Sequence, residues 1–542
     1  METFKWGKKI LATLSTGLYA NPFFIYREYV QNAADAIEEA VNQKPSLITR
    51  DDAQILIDVN AAKREITIRD TGVGVERSRV SATLGNIGDS QKNANERIGR
   101  FGIGRMGGLG YCQKLIFETS AFGEKNKSVV ECDAQKLRKA LNDRHITDDA
   151  SAIWRLIVQT REEPAEANDH FFTVRLVDVD KSHDELLNVD EVRKYLSQVA
   201  PVPFSGYFKH RDKIKAFCEE KGFDLREYAL LLNNDEVFKC YTDPFDDICK
   251  GQKTAVQVYD VQCGVLEEND KYWGWYWYGE TDFEGALHKF CIPKGLRLRQ
   301  WNVQIGEPDC LNQIEGWPEE RGNNYFIGEI HADPWNLNPN ARRDYFEQDD
   351  NCRIFERNLR HFFKELTSIY RDASKVRSCV KKIEVGRRAE EKWERQQSEG
   401  FFDRQAQEKA RQELDAKLET ARQAQKDYQK LEAGAQTSAP PNETPTQKTR
   451  RNIVNRAIQG VKTPRPARPT IPPIVQTSSK QAVVDASGQP PVSPPQSQYW
   501  INTLTDGERK ILEIVQKVLK DSLKESEADK IWSKITQQIT EQ

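Results

Sequence analysis

The sequence predicts an α+β chain built of several units, and three observations carry that reading. Residues 1–185 alternate helix-period and strand-period hydrophobic patterns. Residues 376–433 turn charged and rich in Gln and Ala, with a seven-residue repeat. Residues 434–498 hold 12 of the 23 prolines, a composition that buries too little surface to offset its ordering entropy. A length of 542 residues allows roughly three or four domains. The near balance of 80 Lys+Arg against 83 Asp+Glu excludes a globally basic nucleic-acid binder, though not a local basic patch. No apolar run approaches a membrane span. The 10 cysteines are scattered, with no Cys-x-x-Cys pair, which argues against a disulfide scaffold or zinc ribbon and fits a reducing, cytoplasmic setting.

The elements follow in order. The stretch from Ile10 to Ala20, after Lys8 and Lys9, faintly mimics a signal peptide. Thr13, Ser15, Thr16 and Gly17 interrupt it, and it runs straight into a helix, so secretion is rejected. That helix opens at Asn21-Pro22 and continues through Glu39, with Ile25, Tyr29, Ala33, Ala36 and Ala40 on one stripe. Alternating runs at Gln54–Val59 and Glu65–Arg69 read as a hairpin, and further strands are expected at Lys114–Thr119 and Phe171–Leu176. Residues 186–375 form a second, tryptophan-rich α/β region whose end, Ile354 to Tyr370, reads as a helix. In 376–433, Leu414, Ala421 and Tyr428 repeat at seven. Ala410, Ala424 and Leu431 form a second track that Lys417 spoils, so the helix is either solvated or a weak coiled coil. Residues 434–498 read as a disordered linker, within which Lys448 to Pro469 carries seven basic residues and no acidic one. Residues 499–542 read as two short amphipathic helices, the first with a Thr505/Glu508 capping box. Two such helices cannot bury both faces, so this segment should dimerise or dock.

Three motifs bear on chemistry. Glu28, Asn32 and Asp35, spaced by four and three, share one helix face; three polar groups there are also common on any surface helix. Asp70-Thr-Gly-Val-Gly74 follows a strand, where Asp and Gly also make an ordinary turn. Ile98-Gly-Arg-Phe-Gly-Ile-Gly-Arg-Met-Gly-Gly-Leu-Gly110 is glycine-rich. It lacks the preceding strand and ribose-binding acid of a dinucleotide site and the Gly-Lys-Ser/Thr of a Walker A loop. It can instead lead into a helix N-terminus whose free N–H groups bind phosphate.

In this order, the three motifs resemble the GHKL (Bergerat-fold) ATPase superfamily, and within it the ninety-kilodalton heat-shock chaperone (HtpG-like) class. Leu18–Ala36, Leu84-Gly-Asn-Ile-Gly-Asp-Ser-Gln-Lys92 and Ile98–Gly104 match that class's motifs, the second with one residue fewer. The resemblance is strong in 1–120, faint in 121–300 and absent in 376–542. It implies a GHKL ATP-binding domain over 1–185 and a chaperone-like middle domain over 186–375, with ATP and Mg²⁺ as ligands. It assigns the water-activating base to Glu28, the magnesium-ligand oxygen to Asn32 and the adenine acceptor to Asp70. Thr71 and Gly74 would line the adenine pocket, and Lys92, Gly99, Phe101, Gly102, Ile103 and Gly104 would form the phosphate loop. Asp35 would support the site. The chain departs from the class in a short 92–98 segment and in lacking the late-strand Gly-Thr pair, for which Thr173 is the nearest substitute.

Leu337-Asn-Pro-Asn-Ala-Arg-Arg-Asp-Tyr-Phe346 resembles the same class's catalytic loop, which implies that Arg343, or Arg342 next to it, reaches the γ-phosphate. The expected function is an ATP-driven, chaperone-like switch acting on a protein client. A homodimer would form through 404–432 or 503–540. The alternatives are an ATPase clamp holding nucleic acid through 448–469, and an ATP sensor in a signalling or defence complex. No membrane association is expected.

Overall fold

A computed structural model describes residues 11, 21–85, 104–143, 150–249, 251–315, 317, 319–436 and 443–462. Lys92, Gly99, Phe101, Gly102, Ile103 and the segment 463–542, with its expected terminal helices, lie outside the described residues.

The N-terminal part is a helix laid on a sheet. Helix α1 (Phe24–Asn42) starts where Asn21 Oδ1 accepts the Phe23 N–H at 3.0 Å. Its stripe of Ile25, Tyr29, Ala33 and Ile37 is buried. It faces strands β1 (Gln54–Asn60) and β2 (Glu65–Asp70), whose alternation turns Ile55, Ile57, Val59, Ile66 and Ile68 to one side. Each such aliphatic side chain contributes about 1.5–3 kcal/mol by leaving water. After the short helix α2 (Arg77–Gly85) come β3 (Cys112–Ser120), β4 (Asn126–Asp133), α3 (Ala134–Asn142), α4 (Ala150–Ile157), β5 (Val158–Pro164) and β6 (Phe171–Val179). Helices α5 (Val189–Val199) and α6 (Arg211–Lys221) precede β7 (Ala229–Leu232) and β8 (Asp235–Glu236). The sheet order is β5-β4-β3-β6-β2-β1-β7-β8, antiparallel except that β7 runs parallel to β1. The sheet therefore takes strands from beyond residue 185, and the expected boundary there is corrected: Leu230 and Leu232 complete the first core, so the chain cannot be divided at that point without opening it.

Residues 1–247 and 254–462 make one compact unit, to which everything below refers. The other unit, Ile248–Lys253 with Thr463–Gln542, is represented among the described residues by the tip of the hairpin β9 (Phe245–Cys249) and β10 (Gln252–Val256).

A second sheet has the order β11-β12-β15-β13-β14 and comprises β11 (Asp260–Glu268), β12 (Lys271–Glu280), β13 (Gly295–Gln300), β14 (Val303–Gln304) and β15 (Ile327–Ala332). The aromatic run on β12 is buried on both faces. Tyr276 and Tyr278 meet Phe362 of helix α7 (Asp350–Glu399), while on the other face Trp277 meets Phe204, Phe208 and Tyr241 and Trp275 meets Phe217 and Phe223. A bulge opposite Leu266 and Glu267 moves Trp273 onto the α7 side. At the sheet's centre, fully buried Glu329 pairs with Lys239 Nζ at 2.8 Å and with Arg299. Burial and the Arg299 charge hold Lys239 down to about 8.

Helix α7 is capped by Asp349, whose Oδ1 accepts Cys352 N–H at 2.8 Å, and it ends at Gly400. Helix α8 (Arg404–Gln436) folds back along it. Gly386 permits the approach, since a Cβ there would come within 2.5 Å of the Ala421 Cβ. Ala424 and Tyr428 bury against Val376 and Cys379. The heptad seam is thus used within the chain, as half of a helical hairpin.

Helix α9 (Pro445–Lys462) corrects the disordered-linker expectation over its length. Its start is a reciprocal capping box: Thr444 Oγ1 accepts from Gln447 N (3.3 Å), and Gln447 Oε1 accepts from Thr444 N (3.1 Å). Ile453 and Val454 are buried, and Thr449 Oγ1 donates to buried Glu280 Oε1 at 2.8 Å. Three of the seven basic residues expected to meet nucleic acid are paired within the chain. Arg450 pairs with Asp372 (2.6 Å), Arg451 with Glu443 (2.7 Å) and Arg456 with Glu280 (3.1 Å).

Candidate active site

The site is built on α1. Glu28 is buried, and its Oε1 lies 3.7 Å from Arg27 Nη2 with no hydrogen-bond partner among the described residues. Asn32, one turn on, is half-buried, and Asp35 is buried. The end of the glycine-rich run, a 3₁₀ helix over Gly104–Gly110, lies flat against this helix. A Cβ at Gly104 would stand 2.2 Å from Glu28 Oε2, so only glycine brings the run this close to the carboxylate. Tyr29 fixes the contact, its hydroxyl donating to Arg105 O (3.0 Å) and accepting from Gly108 N (3.0 Å).

The second wall is the turn after β2. Asp70 is buried at the strand end, and its Oδ1 accepts the Gly72 N–H at 2.8 Å. Val73 N donates to Ala36 O at 3.2 Å, which ties the turn to α1. Gly74 has φ 67°, and a Cβ there would lie 1.8 Å from Ser120 O, so a side chain is excluded twice over. The Thr71 hydroxyl is turned to β1, where it accepts Gln54 N–H at 3.0 Å.

The late strand differs from expectation. Directly opposed residues of an antiparallel pair share a face. Asp70 is opposite Phe172, and Phe172 is opposite Thr119 on β3. Thr173 is opposite Arg69 and Glu118, and therefore stands on the other face of the sheet. Thr173 is thus not a neighbour of Asp70 in the site, and Phe172, half-buried, takes that place.

The Arg343 loop belongs to the second sheet's side. Pro339 bridges Phe346, and Asn340 N donates to Tyr345 O at 3.0 Å, which closes a tight turn. Arg343 sits in it at φ 54° and is buried, whereas Arg342 is exposed. The Arg343 carbonyl accepts from Gly306 N at 2.8 Å. Glu307, next along, acts on the same phenol as α1 does: Tyr195 is pushed up chiefly by desolvation, with Arg27 opposing and Glu307 and Glu28 adding to the rise. The Tyr195 ring packs on Phe23 at 5.4 Å. The structure thus joins Glu28, Asn32, Asp70, Gly74 and Gly104 around α1, and sets Arg343 on a separate, pinned loop.

Comparison with known proteins agrees with this geometry. Residues 21–153 match the family model described as histidine kinase-, DNA gyrase B-, and HSP90-like ATPase. Curated relatives include the chaperone protein HtpG of Cupriavidus necator, 31% identical with 28% of each chain covered. The HtpG of Bordetella parapertussis is 29% identical over 34% of each chain. That of Halalkalibacterium halodurans is 27% identical over 22% of this chain and 21% of its own. The matched part spans between 21% and 34% of the length of these relatives. Among the described residues, no helix is long and apolar enough to cross a membrane, and no cluster of three or more His, Cys, Asp or Glu could hold a metal.

Proposed function

We propose that this chain, whose residues 21–153 form a domain of the histidine kinase-, DNA gyrase B- and HSP90-like ATPase family, hydrolyses ATP to drive a conformational cycle that remodels a protein client. The observation that carries the reading is the buried Glu28 carboxylate pressed against Gly104, with one oxygen lacking a hydrogen-bond partner among the described residues. A carboxylate so placed can hold a water and take its proton. Asp70, fixed by the Gly72 amide, presents a carboxylate that can accept an exocyclic amino group, which selects adenine. Gly74 and Gly104 let the backbone close onto Ser120 and onto Glu28, nearer than any side chain would allow, and so shape the walls of the site. The residues fit the nucleotide, and Asn32 offers an amide oxygen to Mg²⁺, which would neutralise phosphate charge when bound. Arg343, on its pinned loop, supplies a cation for the charge that develops on the transferring phosphoryl group.

Titration with ATP tests the pocket. Asp70→Asn replaces a charged acceptor with an amide and is expected to weaken ATP binding by about 10–100-fold, while the fold, read by circular dichroism, stays intact. Unchanged ATP affinity in Asp70→Asn would remove this residue from the site.

A further inference from the structure

A chain of contacts joins α1 to the Arg343 loop through residues that the nucleotide reading does not use. Near the C-terminal end of α1, buried Glu38 accepts two bonds from Arg50, both 2.9 Å, and one from Tyr228 Oη at 2.8 Å. Arg226 Nε lies 4.0 Å from Glu38 Oε2 and donates to Asp224 Oδ2 at 3.0 Å. The Arg226 guanidinium also covers the Trp301 ring, its carbon 3.4 Å from the centroid, in cation–π geometry.

Trp301 and Asn302 form the turn between β13 and β14, with φ 50° and 62° at two successive non-glycine residues. Such backbone persists only where its surroundings over-determine it. Here they do. Asn302 Nδ2 donates to Arg226 O (2.6 Å), Lys239 Nζ donates to Asn302 Oδ1 (2.6 Å) and Arg299 Nη1 donates to Asn302 O (2.7 Å). Trp335, at the start of the loop that leads to Arg343, meets Trp301 edge-on at 5.7 Å. Two residues beyond the strand that leaves the turn, the Gly306 N–H holds the Arg343 carbonyl. One strained turn is thus gripped from the α1 side by Arg226, and it sets both the strand and the ring against which the Arg343 loop is built.

We propose that Arg226 is a positioning residue for hydrolysis: acting through the Trp301–Asn302 turn and β14, it fixes the Arg343 loop relative to helix α1. The inference rests on the roles given above to Glu28 and Arg343. Arg226→Ala removes the cation but keeps the carbonyl that Asn302 uses.

The test compares kcat and KM for ATP, with amide hydrogen exchange on the same full-length proteins. Arg226→Ala is expected to lower kcat about tenfold with KM within about twofold of wild type, because a displaced catalytic group costs rate rather than binding. Exchange over 336–346 should quicken while 54–70 stays protected, a split that general destabilisation would not give. Trp301→Phe, which keeps a ring under the cation, should retain most of kcat. In an Arg343→Ala background, Arg226→Ala should cost nothing further. An unchanged kcat, or an equal fractional loss in that background, would overturn the proposal. Should wild type bind ATP without turning it over, the hydrolysis reading fails, and the exchange arm decides alone: unaltered exchange over 336–346 then overturns the linkage. Should Arg226→Ala not fold, Trp301→Leu breaks the same contact from its other side and is read in the same way.

Discussion

Arg343 and Arg342 are adjacent in sequence and opposite in circumstance. The first is buried in a strained turn with its carbonyl pinned by Gly306, while the second is exposed. A side chain that serves a buried phosphoryl group needs that kind of fixed backbone, whereas a solvated arginine is free to leave. Arg343→Ala is therefore expected to reduce steady-state phosphate release by about 10³-fold and Arg342→Ala by less than about twofold. The reverse order would reassign the loop. At this scale the grouping of Glu28, Asp70 and Gly104 was legible because their motifs sit at fixed places, on α1, at the end of β2 and in the glycine-rich run; their roles stay as the resemblance implies them. Thr173 was not legible, because strand composition does not say which face a residue takes. A shift of one position along β6 exchanges Thr173 for Phe172 beside Asp70. Arg226 carried no motif at all, since its partners Glu38 and Trp301 are far from it in sequence.

At the scale of elements, the two hairpin strands followed from their alternation, because one face of each is the more buried, and α1 followed from its apolar stripe, although the fold buries it on nearly all sides. Strands β7 and β8 were missed: a four-residue Ala-Leu-Leu-Leu run has no period to read, and it is a strand only because β1 offers it a parallel edge. Helix α9 was missed for a different reason. Averaging over 434–498 let the prolines outvote the Thr444-Pro-Thr-Gln447 capping box, in which Pro445 occupies the first helical position, where proline is favoured. Thr449 is the residue that makes α9 specific, since its hydroxyl meets both Tyr278 Oη (2.9 Å) and Glu280 Oε1 (2.8 Å). Thr449→Val keeps the volume and withdraws the donor. It is expected to cost about 1–3 kcal/mol, read as a lower urea midpoint at unchanged slope; an unaltered midpoint would mean that this hydroxyl contributes nothing to holding α9.

At the scale of the whole molecule, the first sheet borrows strands from beyond the expected domain boundary, and the second sheet returns a pinned arginine loop. The helices that the sequence offered for dimer contacts are in part spoken for, since α8 closes on α7 and α9 closes on both. The cations Arg450, Arg451 and Arg456 are matched by Asp372, Glu443 and Glu280, which leaves the nucleic-acid clamp reading without support from these side chains. The proposed nucleotide-driven switch depends on one buried carboxylate, Glu28. The most direct test is phosphate release by the full chain, measured beside Glu28→Ala with ATP binding titrated on the same samples. The account predicts turnover in wild type that falls by about 10²–10⁴-fold in Glu28→Ala while ATP affinity is retained. Equal turnover in the two proteins, or ATP bound by wild type with no phosphate released, would contradict it.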